Sequence, residues 1–121
     1  MKQKTVKVTT DNKISLIDVD FSNFRSIQEA IGGHFETVHT QLMVDYFGDS
    51  SMIMLVDEEG LIKGLPVNAL GCALYDTPQH GCPIVGDLIF ARISGEDIVA
   101  PDDPETLKDR LFHTFIGLRE E

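Results

Sequence analysis

The sequence predicts an α+β domain: a mostly antiparallel sheet of about five strands with two or three helices packed on it. Three observations carry that expectation. Val6 and Val8 alternate with Thr5, Lys7 and Thr9, the period of a half-buried strand. Met52 to Val56 is an unbroken apolar run of strand length, as expected for a strand covered on both faces. Apolar residues then recur at helical spacing in Val67, Leu70 and Leu74, and again in Leu107, Leu111, Phe112, Phe115 and Leu118.

Taken in order, Lys4 to Thr10 is the first strand, and Asp11-Asn12-Lys13 is a turn cluster. Ile14, Leu16 and Val19 continue as a second strand, so Val6 to Val19 reads as a hairpin. Ser26-Ile27-Gln28-Glu29 has the form of a capping box opening a short helix through Ile31, which Gly32-Gly33 stops. Phe35 to Val44 reads as a strand, because Thr37, Val38 and Thr40 favour extended backbone. Tyr46 to Ser50 is a loop, and Met52 to Val56 is the buried strand. Asp57-Glu58-Glu59-Gly60 turns the chain, with Leu61 and Ile62 starting a return strand. Pro66 suits the first turn of the next helix. Tyr75 to Pro83 is a loop, Ile84 to Ile93 a strand and Ser94 to Asp97 a turn. Asp102-Asp103-Pro104-Glu105 caps the last helix, with its acids at the positive end of the helix dipole.

At 121 residues, 42% of them apolar, the chain is expected to form one domain spanning residues 1–121. Its two cysteines, Cys72 and Cys82, are too few for a disulfide framework. No apolar stretch approaches a membrane span, and Met1 to Val8 lacks the apolar core of a secretory signal. The expectation is a soluble, cytoplasmic protein. The net charge is −10, and it is unevenly spread. Residues 26 to 91 carry nine acids and a single base, Lys63. Such a surface repels nucleic-acid phosphate, which argues against direct DNA or RNA binding. It maintains solubility and can attract a basic protein.

The candidate chemistry is sparse. Cys72, His80 and Cys82 form a C-x7-H-x-C pattern, without the short knuckle or fourth ligand of a structural zinc site. Cys82 as a nucleophile would need His80 as its base, yet residues two apart usually point different ways. His34 and His39 share neither a helix face nor a strand face. His39 is expected on the polar face of a strand, either exposed or lining a shallow pocket. The Asp57-Glu58-Glu59 triple lacks calcium-loop spacing and reads as a solvated turn. Asn68 stands among small and apolar residues, where its amide can lock the preceding turn or face a ligand. Gly86 permits close backbone approach, and Asp87 is expected to pair with Lys63 or Arg92. No phosphate-binding loop, dinucleotide fingerprint, zinc-protease motif or nucleophile elbow is present. No cofactor, metal or catalytic residue is expected.

The blocks V-D-E-E-G (56–60), L-P-V-N (65–68) and P-I-V-G-D (83–87) resemble an uncharacterised family of small proteins encoded by bacteriophages, plasmids and integrative elements. The resemblance covers about residues 35 to 93. It implies a genetic context and no activity, and Asn68, Gly86 and Asp87 match its polar signature. The functional expectation is a non-enzymatic binding or modulator protein acting on a basic host protein. The alternative is a small-molecule binder with a pocket formed by Asn68, Asp87 and the 75–83 loop. The apolar run Met52 to Leu55, if its edge were uncovered, would support a homodimer.

Overall fold

The expected hairpin is present in the computed structural model, which describes all 121 residues. Strands β1 (Gln3–Val8) and β2 (Lys13–Val19) pair antiparallel from Gln3↔Val19 to Val8↔Ile14. Asn12 takes the left-handed conformation, φ 65°, that a short polar side chain tolerates in a turn. Helix α1 (Phe24–Ile31) follows, but no capping box forms. Asn23 is the N-cap and accepts from Arg25 N at 3.0 Å, whereas Ser26 Oγ accepts from Asp20 N at 2.9 Å. The helix stops at Gly32, φ 96°, as the Gly-Gly pair predicts.

The strand expected over Phe35 to Val44 is half strand and half helix. Strand β3 (Phe35–Val38) ends before Thr40, which caps helix α2 (Gln41–Phe47). Thr40 Oγ1 accepts from Met43 N at 3.2 Å and donates to Leu74 O at 2.9 Å. This cap and its tertiary partner override the β propensity of the threonines. The loop expected from Tyr46 is therefore partly helical, and Gly48 at φ 66° ends the helix.

Strand β4 (Met52–Asp57) is buried throughout. Instead of a return strand, a single helical turn α3 (Gly60–Lys63) follows, closed by Gly64. Pro66 precedes the next helix rather than opening it, and Val67 bridges to Val85. Helix α4 (Ala69–Tyr75) starts at the Asn68 cap, and a further turn, α5 (Thr77–His80), occupies the expected 75–83 loop. Strands β5 (Leu88–Ser94) and β6 (Asp97–Val99), helix α6 (Pro104–Thr114) and the short strand β7 (Arg119–Glu120) complete the chain.

The fold is α+β, with seven strands and six helices rather than the smaller numbers expected. The sheet order is β3-β4-β5-β1-β2-β7, with β6 also on β5. Every pairing is antiparallel except the parallel β2–β7 contact. The central strands are covered on both faces, which explains the unbroken apolar run. On one face Met54, Val56, Leu88 and Phe90 pack with Met43, Leu70, Leu74, Leu107 and Leu111 of α2, α4 and α6. On the other, Ile53, Leu55, Ile89 and Ala91 pack with Ile27 and Ile31 of α1. β4 is flanked by β3 along Met54–Asp57 and by β5 along Met52–Leu55.

The acidic start of α6 acts as the sequence predicts. Asp103 accepts from Thr106 N at 3.1 Å and from Thr106 Oγ1 at 2.7 Å. The hydroxyl bond, then the amide bond, hold its carboxyl below the ordinary 3.8. Asp49 is lowered in the same way by Ser51. A carboxyl depressed in the folded state stabilises the fold above its unfolded pKa, and this is lost as pH falls through the lower folded value. Stability is therefore expected to decline below pH 3.8, the ordinary carboxyl value, with the Thr106 amide losing hydrogen-exchange protection early. Exchange at Thr106 that stays unchanged down to acid unfolding would contradict this.

Candidate functional site

Asn68, Gly86 and Asp87 do converge, and their hydrogen bonds turn mostly inward. Asn68 is fully buried. Its Nδ2 donates to Val8 O and Gly86 O, both at 3.0 Å, while Oδ1 accepts from Gly71 N at 3.0 Å. One amide thereby caps α4 and ties it to β1 and to the entry of β5. Gly86 takes φ 83°, and an added Cβ would stand 2.9 Å from Leu65 Cδ1, so both conformation and space call for glycine. Asp87 Oδ1 accepts from Thr10 N at 3.1 Å, and Oδ2 lies 3.7 Å from Lys7 Nζ. The expected partners are engaged elsewhere: Lys63 with Asp57 at 2.7 Å, and Arg92 with Asp102 at 2.8 Å. A ligand could meet Asp87, but not Asn68. No residue of the 75–83 segment lines the space beside Asp87.

Beside Asp87 lies a cleft of about 210 Å³ whose floor includes Asp57 and whose wall includes Lys63. The acidic turn is only partly solvated, contrary to expectation. Glu58 and Glu59 are exposed, but the Asp57 side chain is 2% exposed. Its Oδ1 accepts from Glu59 N at 2.9 Å, and its Oδ2 meets Lys63 Nζ. Burial of this carboxylate requires that partner, because an unpaired charge there would lack compensation. Gly33 leaves the room, since a Cβ at that position would press on Lys63 Nζ and Asp57 Oδ2. Sequence reading missed this pair; the one signal was Lys63 as the sole base in a long acidic stretch.

A second concavity, about 360 Å³, runs beside β3. Glu36, Thr37, Val38 and His39 line one side; Leu61, Tyr75, Cys82, Pro83 and Ile84 line the other. His39 is here, apart from the other three candidates. It lies in the link after β3 rather than within a strand, and its Nε2 is 2.9 Å from Ser50 O, which ties that link to the turn before β4. No Lys or Arg lines this groove, and Glu36 is its carboxylate.

The cysteine–histidine trio is dispersed. Cys72 Sγ accepts from Ile84 N at 3.2 Å, which joins α4 to the chain before β5. His80 stacks on Tyr75 at 4.7 Å, with Nδ1 3.1 Å from Asp76 O. Cys82 is exposed. No three His, Cys, Asp or Glu side chains gather into a metal-holding group, and no helix is long and apolar enough to cross a membrane.

Residues 1–112 match the family described as a domain of unknown function (DUF3846). No curated protein and no solved structure matches the chain.

Proposed function

The chain belongs to the DUF3846 family, a domain of unknown function, and from that premise we propose that it is a non-catalytic binding protein. In this reading it captures a basic host protein stoichiometrically, in the service of a mobile genetic element. The groove beside β3 carries the reading. Its lining joins apolar side chains to a carboxylate and contains no Lys or Arg. Exposed Glu58 and Glu59 stand in the turn that follows β4, the strand paired with β3. A net charge of −10 adds long-range attraction for a basic surface. Several of the polar candidates are engaged with backbone groups, as at Asn68, Cys72 and His39.

The test is titration calorimetry with lysine-rich and glutamate-rich synthetic peptides across a salt series. The basic peptide is expected to bind at low salt and to weaken steeply as salt rises, because exposed charges are screened. Equal binding of both peptides, or of neither, would sink the proposal. A second reading rests on the other cleft, where Lys63 (37% side-chain exposure) and Asp87 (34%) can reach a small polar molecule. Screening metabolites and nucleotides by thermal shift tests it, since a bound ligand raises the midpoint by mass action. A shift that survives Lys63→Met would place the ligand elsewhere.

A further inference from the structure

We infer that β3 is a docking edge, and that the partner adds to it as an extended strand with a basic-x-apolar pattern on its groove side. The inference rests on the basic-partner reading and specifies how that partner is held. Glu58 N donates to His34 O at 3.0 Å, which sets the phase of the β3–β4 ladder. Bonded pairs alternate in an antiparallel ladder. Glu36 and Val38 therefore bond to Val56 and Met54, while Phe35 and Thr37 turn their N–H and C=O groups away from β4. No strand pairs on that outer side.

The groove lies along this edge rather than over one face. Residues of both parities, Glu36 and Val38 with Thr37 between them, line it, as expected where a groove follows a strand's edge. Val38 belongs to the core cluster beneath α2 and α4, so Glu36, of the same parity, faces that side too. On an added strand, the residue beside Glu36 is best basic. Its neighbour two positions on would rest against Tyr75, Pro83 and Ile84, and is best apolar.

Edge strands commonly carry a charge and stay short, which discourages pairing with further copies. β3 has both features, four residues and an exposed Glu36. Two copies, each with net charge −10, would meet at this edge under mutual repulsion. The same carboxylate favours a lysine or arginine. Charge thus selects a basic foreign segment over a second copy.

The probe is a labelled Lys-Val peptide built on a Lys-Ser-Val-Ser repeat, which sets a basic and an apolar side chain in turn on one face of an extended strand, titrated by fluorescence anisotropy. Two further versions carry N-methyl groups on alternate residues, one in each register. The protein variant Thr37→Pro removes an outward N–H without touching the β4 ladder, a place where an edge strand tolerates proline. The parent peptide is expected to bind and to slow exchange of the Thr37 amide on the order of tenfold. Thr37→Pro and one methylated register should each weaken binding by roughly tenfold, as loss of one or two backbone bonds implies. The other register should bind like the parent. If both methylated peptides bind like the parent, the docking edge is wrong while the basic-partner reading stands. That comparison uses the unaltered protein and holds even if Thr37→Pro misfolds. If a Glu-Val peptide binds as well as Lys-Val with the same register dependence, the edge stands and the basic-partner reading falls. If no peptide binds at low salt, both fall.

Discussion

Asn68→Ala is expected to lower the unfolding free energy by about 3 kcal/mol, a large effect for one amide. The estimate joins a lost helix cap, typically about 1 kcal/mol, to the loss of the only side-chain donor to two carbonyls. A buried polar group left unpaired costs about 1–3 kcal/mol. Asn68 has no contact with water that could compensate, since it is fully buried. The carbonyls concerned, Val8 O and Gly86 O, belong to different parts of the fold, so the loss loosens α4 from β1 and from the start of β5 together. Asn68→Asp separates the two roles. It keeps the acceptor for Gly71 N but faces both carbonyls with a carboxylate, so it should be at least as harmful at neutral pH and milder in acid. Urea unfolding at unchanged slope measures both. A loss below about 1 kcal/mol for Asn68→Ala would mean that these bonds do not hold the junction.

Phe90→Ala is expected to be more damaging still, at about 3–5 kcal/mol. Phe90 is fully buried in β5, opposite Met54 of β4. Its ring meets the edge of Phe47 with centroids 5.9 Å apart. The cavity would open between the sheet and the end of α2, where β4, β5 and Phe47 restrict collapse. For a chain of this size the midpoint should fall by about 12–20 °C at roughly 4 °C per kcal/mol. Phe90→Leu should cost well under half as much, because most of the volume is kept. Calorimetric melting of the two variants decides it. Similar small losses for both would show that the α2 side of the core is not closely packed.

The elements that were legible in the sequence are those whose signals are local. The hairpin alternation, the Gly32 stop and the Asp103 cap need only neighbouring residues, and each appears where expected. Thr40 shows where local reasoning fails. Its β propensity argued for a strand, but its hydroxyl found Met43 N and Leu74 O, the latter thirty-four positions away, and a helix began instead. Ser26 failed differently: Asn23, a better-placed cap, took the helix end first. Asp57 read as one of three solvated acids because nothing in the turn reveals that its first carboxylate folds inward onto Lys63.

The candidate site divides along the same line. Composition established the acidity and the lack of catalytic motifs, and spacing marked Asn68, Gly86 and Asp87 as polar positions with a reason to matter. Such properties survive any arrangement of the chain, because they belong to residue types and short-range geometry. Tertiary structure alone decided that Asn68 is sealed inside, that β4 lies within the sheet and β3 at one of its edges, and that His39 shares a groove with Cys82 instead of with Asp87. These depend on strand order and on contacts between residues far apart in sequence. A strand's own residues do not state which neighbour lies on each side, since backbone hydrogen bonding is the same for every sequence.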